Sequence, residues 1–279
     1  MEMVMKYNFN MQKRRKIISW AIVLMGPIIL LAVKGDMPRL LEMVHVRYED
    51  ISFALLPSAD KAFAFGEAHF DAETPATYDI DRAEHFFVEA VSLDPKLPYL
   101  YHELARISFL RGNNARALAL INLQIAAQGD NTPNSYYVRG LIEGYMGNYA
   151  DSSRDYERFL QFDPNNWAAI NDYSWVLLKS NRPQDAADAL ARGLSLFPDN
   201  PWLLNSYATA LYELGQFRGA LEAAAHARNA ALHISRADWL HAYPGNDPHI
   251  AEEGISTLQK STEDNIHTIE LALVSGKVQ

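Results

Sequence analysis

Four loop signals recur down this chain at one interval, and that interval constrains the fold more than any other feature. Asp94-Pro95, Gly129-Asp130, Asp163-Pro164 and Phe197-Pro198 follow one another at 34 or 35 residues. The positions between them keep the same step. Ala105, Gly140, Ser174 and Ala208 align as a column of small residues, where two helices must approach closely. Gly112, Gly147, Asn181 and Gly215 align as the turn between helices, because Gly and Asn accept the left-handed conformation that ends a helix. Ala117, Ser152, Ala186 and Ala220 form a second small column, and Ile121, Tyr156, Leu190 and Ala224 follow four residues later on the same helix face. The prolines end the second helix, since proline disfavours helix at the residue before it. A single helical pair cannot bury its apolar face, so units of this kind must stack.

On these columns the chain resembles the tetratricopeptide-repeat (TPR) family. NYADSSRDYERFLQFDPNN (148–166) is similar to the second helix of such a unit with its terminator, and so is ELGQFRGALEAAAHARNAAL (213–232) without the proline. DRAEHFFVEAVSLDP (81–95) supplies the second helix of an earlier unit through Ala83, Phe87 and Ala90. Its first helix is expected over Lys61–Phe70, with an insertion around Thr74-Pro75 in the connecting loop. The resemblance covers about 60–233 and implies an all-α fold: a right-handed α-solenoid of about five helix-turn-helix units over 61–233. Residues 234–279 follow as a structured loop, WLHAYPGNDP (239–248), and a helix over about His249–Leu273 that caps the last unit. An amphipathic surface for a partner is the second reading of that helix.

The chain has 279 residues and a net charge of −9, unevenly spread. Residues 1–35 hold six Lys/Arg against the single acid Glu2, leaving 19 Lys/Arg and 33 Asp/Glu beyond them, a net of −14. Residues 17–33 carry no charge and match the lower edge of a bilayer-spanning helix. The Lys13–Lys16 cluster precedes them, which by the positive-inside bias sets the N-terminus in the cytoplasm. The expectation is a basic cytoplasmic stretch at 1–16, a transmembrane signal anchor at 17–34 and a juxtamembrane helix or linker at 35–60 ending before Pro57. The protein is then a single-pass protein of the inner (cytoplasmic) membrane with its helical repeats on the far side. A cleaved signal peptide and a buried helix are the competing readings of the apolar run. The acidic body repels phosphate backbones, which argues against nucleic acid as a partner.

Cysteine is absent, which removes disulfides, thiolate metal sites and cysteine nucleophiles. No phosphate loop, GxGxxG, HExxH or GxSxG occurs, and the nine histidines never pair at a four-residue spacing. Pairs such as Glu252-Glu253 and Glu263-Asp264 fall on what should be a solvated helix face. The expectation is a protein that is not an enzyme, with no cofactor, metal or small-molecule substrate.

In TPR arrays the first helix of each unit lines a concave groove that takes extended or helical peptides. Carried onto this chain, the resemblance implies a groove that includes His102, Arg106, Tyr137, Asn171, Trp175, Asn205 and Tyr212. Arg106 is the one Lys or Arg among these positions, so the Lys/Arg/Asn clamp with which some relatives hold a carboxyl terminus is not reproduced. Trp175 and Phe109 can equally pack between units. The function expected is a membrane-tethered scaffold or adaptor for an envelope assembly that binds a protein or peptide partner. The alternative is a non-catalytic regulatory subunit of a membrane enzyme complex, docked through its span.

Overall fold

The computed structural model describes residue 44, residues 48–243 and residues 246–275. Among them every regular element is helical. None of those helices is long and apolar enough to cross a membrane. The expected anchor at 17–34, its basic flank at 1–16 and most of the juxtamembrane stretch lie outside the described residues. The packing divides the chain into two units: 1–69 with 81–97, and 70–80 with 98–279.

In the first unit, residues 48–55 are helical and the chain leaves the helix just before Pro57. Helix α1 (Ala59–His69) and helix α2 (Ile80–Leu93) follow. The α1 bounds fall close to the sequence expectation. Phe86 and Phe87 of α2 are fully buried, packed against Phe53, Phe65 and Phe63 at 5.9, 5.2 and 5.6 Å between ring centroids. A charged cluster is also buried here. Glu49 accepts hydrogen bonds from Arg82 Nε and Nη2 at 3.1 and 3.0 Å and lies 2.7 Å from His69 Nε2. Arg82 Nη2 also donates to Asp50 at 2.7 Å.

The second unit contains four consecutive helix pairs: α3 (Leu100–Leu110) with α4 (Asn114–Gln128), α5 (Asn134–Tyr145) with α6 (Tyr149–Phe162), α7 (Trp167–Lys179) with α8 (Pro183–Leu196), and α9 (Pro201–Glu213) with α10 (Phe217–Ala231). One turn joins the two helices of every pair. Gly112, Gly147, Asn181 and Gly215 take φ of 73°, 84°, 57° and 73°. The next amide in each case, at Asn113, Asn148, Arg182 and Gln216, donates to a first-helix carbonyl five residues back at 2.9 Å. This bond satisfies a carbonyl that the helix end leaves open. Three of these helices start on an asparagine cap. The side chains of Asn113, Asn166 and Asn200 accept from the amides of Arg116, Ala169 and Leu203 at 3.1, 3.0 and 3.0 Å.

The sequence columns are the core of this unit. Ala105, Ser174, Ala208, Ala117, Ser152, Ala186 and Ala220 are fully buried, as are Ile121, Tyr156, Leu190 and Ala224. Gly140 shows why its column is small: a Cβ there would lie 3.2 Å from the Tyr156 ring and 3.3 Å from the Ser152 carbonyl oxygen. Beyond the pairs, one expectation is corrected. Residues 236–242, placed partly within a loop by their turn formers, form helix α11 (Arg236–Ala242), started by a capping box between Ser235 and Asp238. Helix α12 (Ala251–Val274) then covers the last pair, with Ile269 buried among Ala208, Leu211, Ala220, Ala223 and Ala224. Gly254 on α12 lies beneath the Trp239 indole, which a Cβ would strike.

Candidate functional site

Successive first helices of the second unit are tied by side-chain hydrogen bonds, one rung per step. His102 Nδ1 and Ser135 Oγ are bonded at 3.1 Å from α3 to α5, and Tyr137 donates to Asp172 Oδ2 at 2.7 Å from α5 to α7. Ser206 donates to Asn171 Oδ1 at 2.7 Å from α9 to α7. Asn205 donates to Ser261 Oγ at 3.1 Å and accepts from Asn265 at 2.8 Å, which extends the ladder to α12. Burial pushes the His102 imidazole down to about 4, against the nearby charge of Glu103 that would raise it. At neutral pH His102 is uncharged, and one rung alone carries a charge: the rung at Asp172.

Asp172 is the only acid in the α7 sequence WAAINDYSWVLLK. It accepts from Tyr137 and, at 3.2 Å, from Asn171 Nδ2. Burial raises its carboxyl to about 6, with the two hydrogen bonds pulling the other way. No cation among the described residues contributes to it. Tyrosines surround it. Burial first and the Asp172 charge second raise the phenols of Tyr137, Tyr145, Tyr156 and Tyr243, the last to about 12. Trp175, one turn on from Asp172, packs on Tyr145 at 5.5 Å and on Tyr149 at 6.1 Å, while Tyr145 meets Phe109 at 5.2 Å. Tyr145 is 64% exposed, so this aromatic row faces solvent.

A segment of the chain reaches the same face. Residues 70–80 set the Phe70 ring under the Arg106 guanidinium at 4.7 Å, and two residues later Ala72 is buried with Trp239, Leu240, Ala251 and Ile255. Burial, with Asp247 next in weight, raises the Tyr78 phenol to about 12, partly offset by Arg106. The inserted segment that the sequence showed only as turn residues around Thr74-Pro75 thus contacts both α3 and the α11–α12 corner. Tyr243, at the end of α11, lies against Trp202 at 6.1 Å.

The seven sequence-predicted groove residues all lie on first helices, with different neighbours. His102 is buried in its rung. Arg106 pairs with Glu103 at 2.7 Å as well as covering Phe70. Tyr137, Asn171 and Asn205 are the partly exposed members of the other rungs. Trp175 is partly exposed between Tyr145 and Tyr149. Tyr212 packs on Phe217 at 5.5 Å. The residues passed over are Asp172, Tyr145 and Tyr243. An acid alone in an otherwise apolar and aromatic helix was the available signal for the first. The other two depend on tertiary placement.

Comparison with known proteins agrees with this architecture. A family model described as tetratricopeptide repeat matches residues 99–244. No curated protein matches the chain. Among solved structures, a crystal structure of MamA protein is 15% identical with a TM-score of 0.52, over 62% of this chain and 92% of that one. MamA from Desulfovibrio magneticus RS-1, residue 41 to the end, is 19% identical with a TM-score of 0.46, over 61% and 97%. YrrB, described as a TPR protein with an unusual peptide-binding site, is 19% identical with a TM-score of 0.48, over 68% and 97%. At these identities the MamA likeness at 0.52 shows the fold alone.

Proposed function

The chain belongs to the tetratricopeptide-repeat family, and we propose that it is a non-catalytic scaffold that holds a protein or peptide partner on its first-helix face. The observation that carries this reading is the aromatic row with its polar floor. Tyr145 is exposed and Trp175 and Asn171 are half-buried, which leaves part of each side chain on the surface where a partner would meet it. Partly exposed aromatic anchors beside amide groups that both donate and accept suit peptide recognition. Residues 17–34 tether the scaffold to the cytoplasmic membrane in this proposal, with the N-terminus inside and the repeats outside. Assembly of an envelope complex is the setting that this topology favours.

The test is a crosslinking pull-down from membranes with the full-length protein beside an Asn171→Ala/Trp175→Ala variant. A partner captured by the first and lost by the second, with Tm nearly unchanged, is the expected result. A partner retained equally by both would move recognition to the span, the juxtamembrane stretch or α12. That outcome favours a regulatory subunit docked in the membrane. Loss of folding in the variant would return Asn171 and Trp175 to a packing role.

A further inference from the structure

The ladder of first-helix ties contains one component that the tie itself does not need. Three rungs are made by neutral groups: His102 with Ser135, Ser206 with Asn171, and Asn205 with Ser261 and Asn265. An asparagine at 172 could also accept the Tyr137 hydroxyl through its amide oxygen, as the neutral groups of the other rungs do. The negative charge is therefore surplus to the α5–α7 connection. It sits without a cation of the chain's own among the described residues, one turn before the half-buried Trp175, whose ring packs on the exposed Tyr145. Arg106, the one cation at the groove positions, is engaged by Glu103 and Phe70 instead. A carboxylate next to aromatic faces is a receptor for a positively charged group. The rings attract a cation through their quadrupoles and the carboxylate neutralises it.

We propose that Asp172 is the counter-ion for a lysine or arginine side chain of the partner, held beside the Tyr145 and Trp175 rings with Tyr137 and Asn171 orienting the carboxylate. This rests on the reading of the first-helix face as the partner surface and adds the chemistry of the partner to it. Charge complementarity runs in the same direction, because the chain beyond residue 35 carries a net of −14. A basic segment is steered toward such a body, and apolar residues flanking its cation would lie along the Phe109–Tyr145–Trp175 row.

The experiment uses the full chain in detergent micelles and an array of synthetic decapeptides. Each peptide has randomised flanks and a fixed central lysine, arginine, glutamine, leucine or glutamate. The wild type should retain lysine- or arginine-centred peptides about tenfold better than glutamine-centred ones, and Asp172→Asn should reduce that ratio to near one. A basic preference that survives Asp172→Asn would belong to the diffuse charge of the body and overturns the proposal. Leucine-centred peptides retained by the wild type as well as lysine- or arginine-centred ones overturn it too, while leaving a peptide-binding face in place. Retention of no peptide also overturns it, and the pull-down with the Asn171/Trp175 variant then decides separately whether the scaffold reading stands. Asp172→Asn is read beside its melting curve, so a folding defect cannot pass for lost recognition.

Discussion

Two acids, one buried in the first unit and one half-buried in the second, are treated in opposite ways. Glu49 in the first unit is 1% exposed and meets the Arg82 guanidinium as well as the His69 ring. Asp172 in the second unit has a phenol and an amide but no cation among the described residues. The first arrangement answers the cost of desolvating a carboxylate within the chain. The second leaves that cost standing, which shows in the rise of its pKa to about 6. A charge whose partner is internal holds elements together. A charge kept in an enclosed place without one is of use only when something from outside completes it.

The comparison can be broken most forcefully at Glu49. Glu49→Ala leaves the Arg82 guanidinium and His69 side by side with their shared carboxylate gone, and loss of one member of a buried network costs about 3–5 kcal/mol. Amide hydrogen exchange in α1 and α2 should accelerate accordingly. A change of under about 1 kcal/mol would show that the network is hydrated and does not hold the unit. Asp172→Asn should have the opposite sign. Because the folded-state pKa lies above the ordinary 3.8, the unfolded chain releases this proton first as pH rises. Stability therefore falls between about pH 4 and pH 6 and stays lower above that window. The amide should be more stable than the wild type by about 1–2 kcal/mol at pH 8, discounted because the residue keeps some solvent contact, and no more stable at pH 3.5. Melting curves at the two pH values read it. Destabilisation at pH 8 would make the charge structural after all and would erase the contrast with Glu49.

What could be read from the sequence divides along the same line. The repeat was legible because its causes are local and periodic. The Gly and Asn turns, the proline-marked loops and the small columns keep a step of 34 or 35 residues, and each does one geometric task. Helix α11 was missed because turn formers around Pro244-Gly245 outweighed a one-turn capping box at Ser235 and Asp238. The seven groove positions follow from column counting, but what those side chains touch does not. That Asn205 meets Ser261 and Asn265 depends on how α12 docks, 56 and 60 residues away. The contacts of residues 70–80 with Arg106 and with the Trp239 cluster are likewise non-local. Column counting reaches Asn171 and passes over Asp172 one residue on. The neighbouring acid shows its significance only once the structure withholds a cation from it.

Glu143 sharpens the contrast, because it lies between the two cases. Its carboxyl is raised to about 7 by burial and then by the Asp155 charge, with Arg139 and Arg154 opposing. Its Oε2 has no protein hydrogen-bond partner, whereas Arg139 gives both of its 2.7 Å bonds to Asp155. The ordinary value is 4.5, so stability contributed by the neutral form is lost as pH rises from about 4.5 to about 7. Glu143→Gln should recover about 1 kcal/mol at pH 8 and nothing at pH 4, the smaller figure reflecting the exposed part of the side chain. Peptide retention on the array should be unchanged, since Glu143 belongs to the α5–α6 seam with Asp155 rather than to the aromatic row. If Glu143→Gln instead weakened retention of basic peptides as much as Asp172→Asn, an uncompensated acid would attract cations wherever it lay. The rings of Tyr145 and Trp175 would then lose their part in the selection. If retention holds while stability rises, a strained carboxylate marks a binding site only where solvent-facing aromatic surface lies beside it, and Asp172 meets that condition.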